Sequence, residues 1–251
     1  GATNMAVDEA ILRAVAAGDV RPTLRLYAWD PPCLSLGRGQ PVEDVDRVAV
    51  AAEGYDLVRR PTGGRAILHI DELTYSIVAP EREERVEGGV VESYRRLSQG
   101  LMRGLALLGV RGVVAEERLK NRGAAGPVCF EVPSDYEITV GGKKLVGSAQ
   151  MRARGAVLQH GAVPLTGDIA RICPLLRGHP DPEGVRARAT TVERALSRPV
   201  SWEEAAEALI EGFAEALDLR LDPGDLTEEE QVAARALLAE KYGAAEWTET
   251  V

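Results

Sequence analysis

The residue types that most often carry metal or thiol chemistry are scarce here. The 251 residues include three cysteines and three histidines. Cys33, Cys129 and Cys173 are widely separated and odd in number, with no C-x-x-C pair and no Cys/His cluster at zinc spacing. That excludes a zinc site of this kind and fits a reducing, cytoplasmic setting. The chain also lacks any run of eighteen apolar residues and any signal-peptide pattern, so neither a membrane span nor secretion is expected. Positive charge is in deficit: 30 Lys and Arg against 39 Asp and Glu leave a net charge of −9, which argues against a general nucleic-acid binder. Gly-x-Gly-x-x-Gly and the P-loop pattern are both missing, and Gly37-Arg-Gly39 is only a fragment of the first, so classical dinucleotide and P-loop sites are not expected. No internal repeat is present.

What is there is ordinary in bulk. A hydrophobic share of 45% and a charged share of 27% are those of a globular chain, long enough to bury a full core as one α/β domain or as a domain with a small appendage. The unusual stretch is Leu57-Val-Arg-Arg-Pro-Thr-Gly-Gly-Arg-Ala-Ile-Leu-His69. It reads as strand, sharp turn, strand, with Arg59, Arg60 and Arg65 around Pro61-Thr62-Gly63-Gly64. Adjacent glycines let backbone N–H groups face a ligand, and guanidiniums beside them suit an anion or a carbonyl. In an acidic protein this basic turn is a local exception.

In chain order, residues 4–17 form an amphipathic helix with Thr3 or Asn4 as N-cap, acids near its start and Gly18 as its stop. The chain starts at Gly1, without an initiator Met and almost directly in this helix, and a strand upstream is the expectation. Leu24–Trp29 reads as a strand and Cys33–Gly37 as its partner. After the 57–69 stretch comes a third strand, Glu72–Val78, and then a charged, Gly-rich loop at 80–89. Apolar steps of three and four from Val91 to Leu108 mark a helix ended by Gly109. Residues 115–128 are polar and read as a loop. A hairpin follows, Tyr136–Val140 and Lys143–Gln150 joined by Gly141-Gly142. Arg154-Gly155 turns into a further strand, Ala156–Leu165. The remainder is helical: a short helix at Ile169–Leu176 interrupted at Pro174, one capped by Ser201 and running to Leu217, and one opened by Thr227. A composition shift near Asp222-Pro-Gly224 divides the chain into a domain at 1–221 and a small helical appendage at 222–251. Strands joined by hairpins rather than βαβ crossovers predict an α+β protein, with a largely antiparallel or mixed sheet flanked by helices.

Four residues stand out as candidates. Cys129 lies between a Gly/Pro-rich loop and Phe130, outside any periodic apolar run, and reads either as a nucleophile or as buried filler. Cys33 and Cys173 sit in apolar patterns as core residues. Lys143 and Lys144 alternate on a strand, so one faces inward, where it could act as a base or polarise a carbonyl, and the other is solvated. His69 and His160, at strand ends beside the turn and Gly161, are either pocket groups or structural histidines.

Taken together, these motifs resemble the biotin/lipoate protein ligase superfamily. The resemblance rests on Arg59-Arg-Pro-Thr-Gly-Gly-Arg-Ala-Ile-Leu-His69 with Glu72-Leu-Thr-Tyr-Ser76, and on Gly142-Lys-Lys-Leu-Val-Gly-Ser-Ala-Gln150 with Leu158-Gln-His-Gly161. The opening helix and the terminal Tyr242 and Glu246-Trp247 also look like this family, so nearly the whole chain is covered. Val128-Cys129-Phe130, Pro133-Ser134 and Tyr136-Glu137-Ile138 look like its octanoyltransferase branch, of LipM type. The resemblance implies a class II biotin/lipoate protein ligase-like catalytic domain and, for Cys129, the role of nucleophile. It implies that Lys144 polarises the acyl carbonyl or helps deprotonate Cys129 or the incoming amine. Arg60, Thr62, Gly63, Gly64 and Arg65 would form the pocket mouth and carbonyl site, with His69 and His160-Gly161 as walls and Ser148-Ala149 facing them from the hairpin.

By the same resemblance, octanoyl passes from acyl carrier protein through a thioester to a lysine of a lipoyl-domain protein, the glycine cleavage H protein or a 2-oxoacid dehydrogenase acyltransferase subunit. No cofactor, metal, nucleic acid or membrane is then required, and the protein would work as a monomer. Those partners are usually acidic, so Arg59, Arg65, Lys143, Arg152 and Arg154 are expected to form a basic rim. Three other readings remain open: a lipoate–protein ligase using Mg-ATP, an octanoyl amidotransferase acting between lipoyl-domain proteins, and a catalytically silent homologue that binds lipoyl domains. Two departures bear on ATP use. His69-Ile70-Asp71 displaces by one residue an acid that the family commonly has next to the histidine, and Arg65 stands where the ligases commonly have a third glycine.

Overall fold

The computed structural model describes residues 1–116 and 137–250. Helix α1 (Ala2–Ala17) opens the chain and ends on Gly18, whose φ of 83° is the left-handed conformation that stops helices. It begins two residues earlier than its sequence suggests. Asn4 does not cap it but gives its side-chain N–H to the Ala28 carbonyl. Asp8 and Glu9 are not dipole partners in the first turn either; both are buried at mid-helix.

Strands β1 (Thr23–Tyr27) and β2 (Cys33–Leu36) follow, then helix α2 (Arg47–Ala52) capped by Asp46, strand β3 (Asp56–Arg59), strand β4 (Ile67–His69) and strand β5 (Glu72–Pro80). The expected pairing of β1 with β2 does not occur. Strand β1 pairs antiparallel with β5, whereas β2 lies between β3, parallel, and β4, antiparallel, in a sheet of three strands. All four residues of β2 are buried, and a strand with no solvent-facing side is stabilised as a central strand with a neighbour on each edge. The route from β2 through α2 to β3 is therefore a crossover, contrary to the expectation of hairpins alone. Six-residue α2 is too short to show a helical period in the sequence.

Helix α3 (Val90–Leu107) precedes strand β6 (Val113–Glu116), whose last two residues fall in the loop expected at 115–128. Strands β7 (Glu137–Val140), β8 (Lys143–Ala153) and β9 (Ala156–Pro164) complete a six-stranded antiparallel sheet in the order β1-β5-β9-β8-β7-β6. Both predicted turns hold: Gly141 and Gly142 have φ of 56° and 75°, and Arg154 and Gly155 have 57° and 80°, the paired positive values of a tight hairpin. The fold class is thus α+β, as expected. A 3-10 segment at Ile169–Leu175 leads to helices α4 (Pro182–Arg188), α5 (Val192–Leu196) and α6 (Trp202–Ala216), then α7 (Glu228–Leu237) and α8 (Ala245–Thr248). Ser201 caps α6, and Thr227 with Glu230 forms a full capping box on α7.

One core lies between the six-stranded sheet and the α3–α6 pair, with Leu73, Tyr75, Leu101, Leu105, Leu209 and Phe213. A second lies under α1, where Met5, Ile11 and Leu12 share a buried cluster with Ala234, Leu237 and Tyr242 from residues 222–251. No helix among the described residues is long and apolar enough to cross a membrane.

Candidate active site

The two sheets meet around a narrow, partly open cavity of about 30 Å³. The turn after β3 contributes Arg60 and Gly64, β4 contributes Ile67 and His69, β8 contributes Gly147, Ser148 and Ala149, and β9 contributes His160, Gly161 and Ala162. Met5 of α1 and Trp29 close the floor. The structure thus brings seven expected residues together: Arg60, Gly64, His69, Ser148, Ala149, His160 and Gly161. Thr62 is buried behind the wall rather than on it. Gly63 is exposed and Arg65 half-buried.

Arg60 shapes the turn. Its Nη2 donates to the carbonyls of Gly63 and Arg65 at 2.9 and 2.8 Å, and its Nη1 donates to Ser35 O and Oγ at 2.9 and 2.8 Å. A planar fork with several N–H donors can serve that many acceptors, which an ammonium cannot do in the same geometry. Gly37 allows the turn to fold down, since a Cβ there would lie 2.0 Å from Gly64 O. Gly161 does the same for the hairpin side, where a Cβ would lie 2.6 Å from Gly147 O and 2.7 Å from Ser148 Oγ.

Both histidines are fixed by buried carboxylates. His69 Nδ1 lies 2.7 Å from Glu72 Oε1 and its Nε2 lies 2.7 Å from Ser35 Oγ. With Nδ1–H given to the carboxylate, Nε2 accepts the Ser35 proton, while the Ser35 oxygen accepts from Arg60. The ring also stacks on Trp29, centroids 4.0 Å apart. The acid missing next to His69 in the sequence is therefore supplied three residues on, by Glu72, while Asp71 turns away to pair with Arg171. His160 Nδ1 lies 3.3 Å from Asp8 Oδ2, and its Nε2 accepts from Thr62 Oγ1 at 2.7 Å. Asp8, fully buried, also accepts from Arg25 at 2.8 Å, Tyr27 at 2.9 Å and Ser76 at 3.0 Å.

Burial alone would raise the Asp8 carboxyl, but the His160 bond and the Arg25 charge outweigh it and hold Asp8 below the ordinary carboxylate value of 3.8. Burial lowers His160 below 6.5, against the opposing pull of Asp8. Both groups therefore bind fewer protons folded than unfolded, so stability rises with pH. Acid titration should weaken the fold first below about pH 6.5, as unfolded His160 gains a proton that the folded site resists, and again below about pH 4 through Asp8. Read as urea midpoint against pH, Asp8→Asn should make the fall below pH 4 shallower than in wild type, the remainder coming from Glu9 and Asp168, whose carboxyls are also held low. A variant midpoint that still falls below pH 4 in parallel with wild type would refute the assignment.

Lys144 is the inward lysine of its pair, as alternation requires. It is buried, and its Nζ lies 3.0 Å from Glu137 Oε1, also buried. Lys143 instead donates to the Arg186 carbonyl at 2.9 Å. Lys144 is not on the cavity wall itself; it precedes Gly147 by three residues of β8, about 10 Å at strand rise. Cys129 lies outside the described residues, eight positions before Glu137.

The expected basic rim does not form. Arg59 is 1% exposed, with Nη1 on the carbonyls of Gly37 and Gln40 and with Nε and Nη2 on Thr248 O. Arg152 folds onto Val86 O and Ser93 Oγ. Lys143 and Arg154 stand at opposite ends of β8, more than 30 Å apart at strand rise. Beside the turn, among the described residues, stand exposed Arg38, whose backbone N–H donates to Thr62 O, and half-buried Arg65. Sequence reading also missed Asp8, although Met5, Ile11 and Leu12 put it on the apolar face of α1, where a carboxylate needs partners.

Comparison with known proteins agrees with this architecture. A family model described as the lipoyl protein ligase A/B catalytic domain matches residues 1–214. The octanoyltransferase LipM of Kyrpidia tusciae is 50% identical, with 98% of this chain and 93% of that protein aligned. That of Symbiobacterium thermophilum is 47% identical, with the same shares. Among solved structures, lipoate-protein ligase A bound with ATP superposes with a TM-score of 0.82 at 28% identity, covering 99% of this chain and 93% of that one. Ta0514, a putative lipoate protein ligase from T. acidophilum with bound lipoic acid, gives 0.82 at 28%, covering 100% and 94%. The chain belongs to the lipoyl protein ligase A/B catalytic domain family.

Proposed function

We propose that this protein is an octanoyltransferase of lipoate biosynthesis that passes octanoyl from acyl carrier protein, through a thioester on Cys129, to a lysine of a lipoyl-domain protein. The observation that carries the reading is the 50% identity to a LipM octanoyltransferase over almost the whole of both chains. The cavity is consistent with it. Met5, Ile67, Ala149 and Ala162 give it apolar walls, and its histidines and Arg60 are already bonded to protein partners. Such a site favours an acyl chain over a highly charged guest.

The chemistry balances without a nucleotide. The Cys129 thiolate attacks the thioester carbonyl of the octanoyl donor; the new C–S bond forms as the bond to the carrier thiol breaks, and that thiol leaves with a proton. The acceptor amine then attacks, an amide forms, and Cys129 returns as a thiol. Lys144 supports the step by presenting an N–H to the developing oxyanion, held in place by Glu137. The enzyme acts as a cytoplasmic monomer, with no cofactor. Arg38 and Arg65 at the pocket mouth receive the acidic carrier. Replacing both by Gln should raise KM for octanoyl-acyl carrier protein roughly fivefold at low salt, leave kcat unchanged, and lose its effect at high salt. An unchanged KM at low salt would show that the carrier docks elsewhere.

The test of the whole reading is the mass of a lipoyl-domain acceptor incubated with octanoyl-acyl carrier protein and no ATP. The acceptor should gain one octanoyl group. Modification that occurs only with free octanoate or lipoate and Mg-ATP would make the protein a ligase instead.

A further inference from the structure

Beyond residue 214, where the family model ends, the chain returns to the site. Trp247 Nε1 donates to the Arg59 carbonyl at 2.8 Å, and Arg59 Nε and Nη2 donate back to Thr248 O at 3.0 and 2.7 Å. Strand β3 and the C-terminal segment are thus tied by reciprocal bonds directed at backbone, not merely by apolar contact. The next residue after Arg59 is Arg60, whose guanidinium sets the carbonyls of Gly63 and Arg65.

The far end of the segment is anchored as firmly. Lys241 Nζ and Tyr242 OH both donate to Glu9 Oε2, at 2.6 and 2.5 Å. Tyr242 meets the Trp247 ring edge-on at 5.7 Å, and Lys241 Nζ lies 4.1 Å from that ring's centroid, so the indole is held on the same anchor. Glu9 neighbours Asp8, whose carboxylate holds His160 and through it Thr62. Successive residues of α1 therefore fasten the Pro61–Gly64 turn from both sides: Asp8 through His160 and Thr62, Glu9 through the C-terminal segment and Arg59.

We propose that residues 241–248 form a positioning strap for the acyl pocket, with Trp247 and Arg59 as positioning residues that set Arg60 and the turn without touching substrate. This rests on the octanoyltransferase reading. Where the strap also sets the affinity of the pocket for the acyl group, that group steadies the strap by the same free energy.

Two readouts test it. Trp247→Phe keeps an aromatic ring and removes the N–H donor; kcat for octanoyl transfer should fall about tenfold, the effect of one well-placed hydrogen bond, with KM for the lipoyl domain unchanged. Amide hydrogen exchange over residues 245–250 should slow in wild type with octanoyl-acyl carrier protein but not with the unacylated carrier, and this difference should be lost in Trp247→Phe. Tyr242→Phe, which removes a bond to Glu9, should move both readouts the same way and serves if the first variant does not fold. Wild-type kcat in the folded variants with only a lower unfolding temperature, or exchange indifferent to octanoylation in wild type, would overturn the strap. A wild type that takes up no octanoyl group at all overturns the transferase reading, and this inference with it.

Discussion

Cys129→Ser should reduce octanoyl transfer by about 10³-fold or more and leave no hydroxylamine-sensitive adduct on the protein. The expectation rests on what a serine cannot do in this role: its hydroxyl does not ionise near neutral pH without a dedicated base, whereas a thiol ionises far more readily and forms a thioester of similar energy to the one it cleaves. No other cysteine can substitute. Cys33 is buried in β2, and burial pushes its thiol up to about 12. Cys173 is buried among Ala170, Ile172 and Leu175 in the cluster behind the small sheet. Cys33→Ala and Cys173→Ala should therefore leave the adduct intact. An adduct that survives Cys129→Ser would assign the nucleophile to another residue.

The second large effect concerns the buried pair on the β7–β8 hairpin. Lys144→Met should lower transfer by about 10²-fold or more and also destabilise the fold by up to roughly 3 kcal/mol, because buried Glu137 loses the ammonium that faces it. These two losses have different causes and can be separated. Glu137→Gln made together with Lys144→Met removes the carboxylate charge that Lys144 faced, so part of the stability should return while transfer stays lost. Urea unfolding and transfer rate on the two single variants and the double variant complete the cycle. If activity returns along with stability, Lys144 is a packing residue and has no role in the chemistry.

How far the sequence carried the account depended on whether a residue's neighbours were local. The Gly141-Gly142 and Arg154-Gly155 hairpins were legible because two-residue turns of this kind specify their own geometry. The inward lysine followed from period-two alternation. Arg59, expected on a rim with Arg65, Lys143, Arg152 and Arg154, is buried because its acceptors, the carbonyls of Gly37, Gln40 and Thr248, come from distant segments. Strand β2 was misplaced because its partners are β3, across a helical crossover, and β4, beyond the turn, and nothing within four residues encodes either register. Asp8, Ser35 and Glu72 escaped notice as site residues for the same reason. Each is a buried polar residue whose purpose appears only when His160 or His69 is brought against it by the fold.

The most direct measurement is the mass of the unsubstituted protein itself during a single turnover without ATP. After mixing with octanoyl-acyl carrier protein, an octanoyl group should appear on the peptide that carries Cys129, then disappear as a lipoyl-domain acceptor is added and gains it at the same rate. An unacylated protein, with the acceptor modified only when Mg-ATP and the free acid are supplied, would contradict the thioester route.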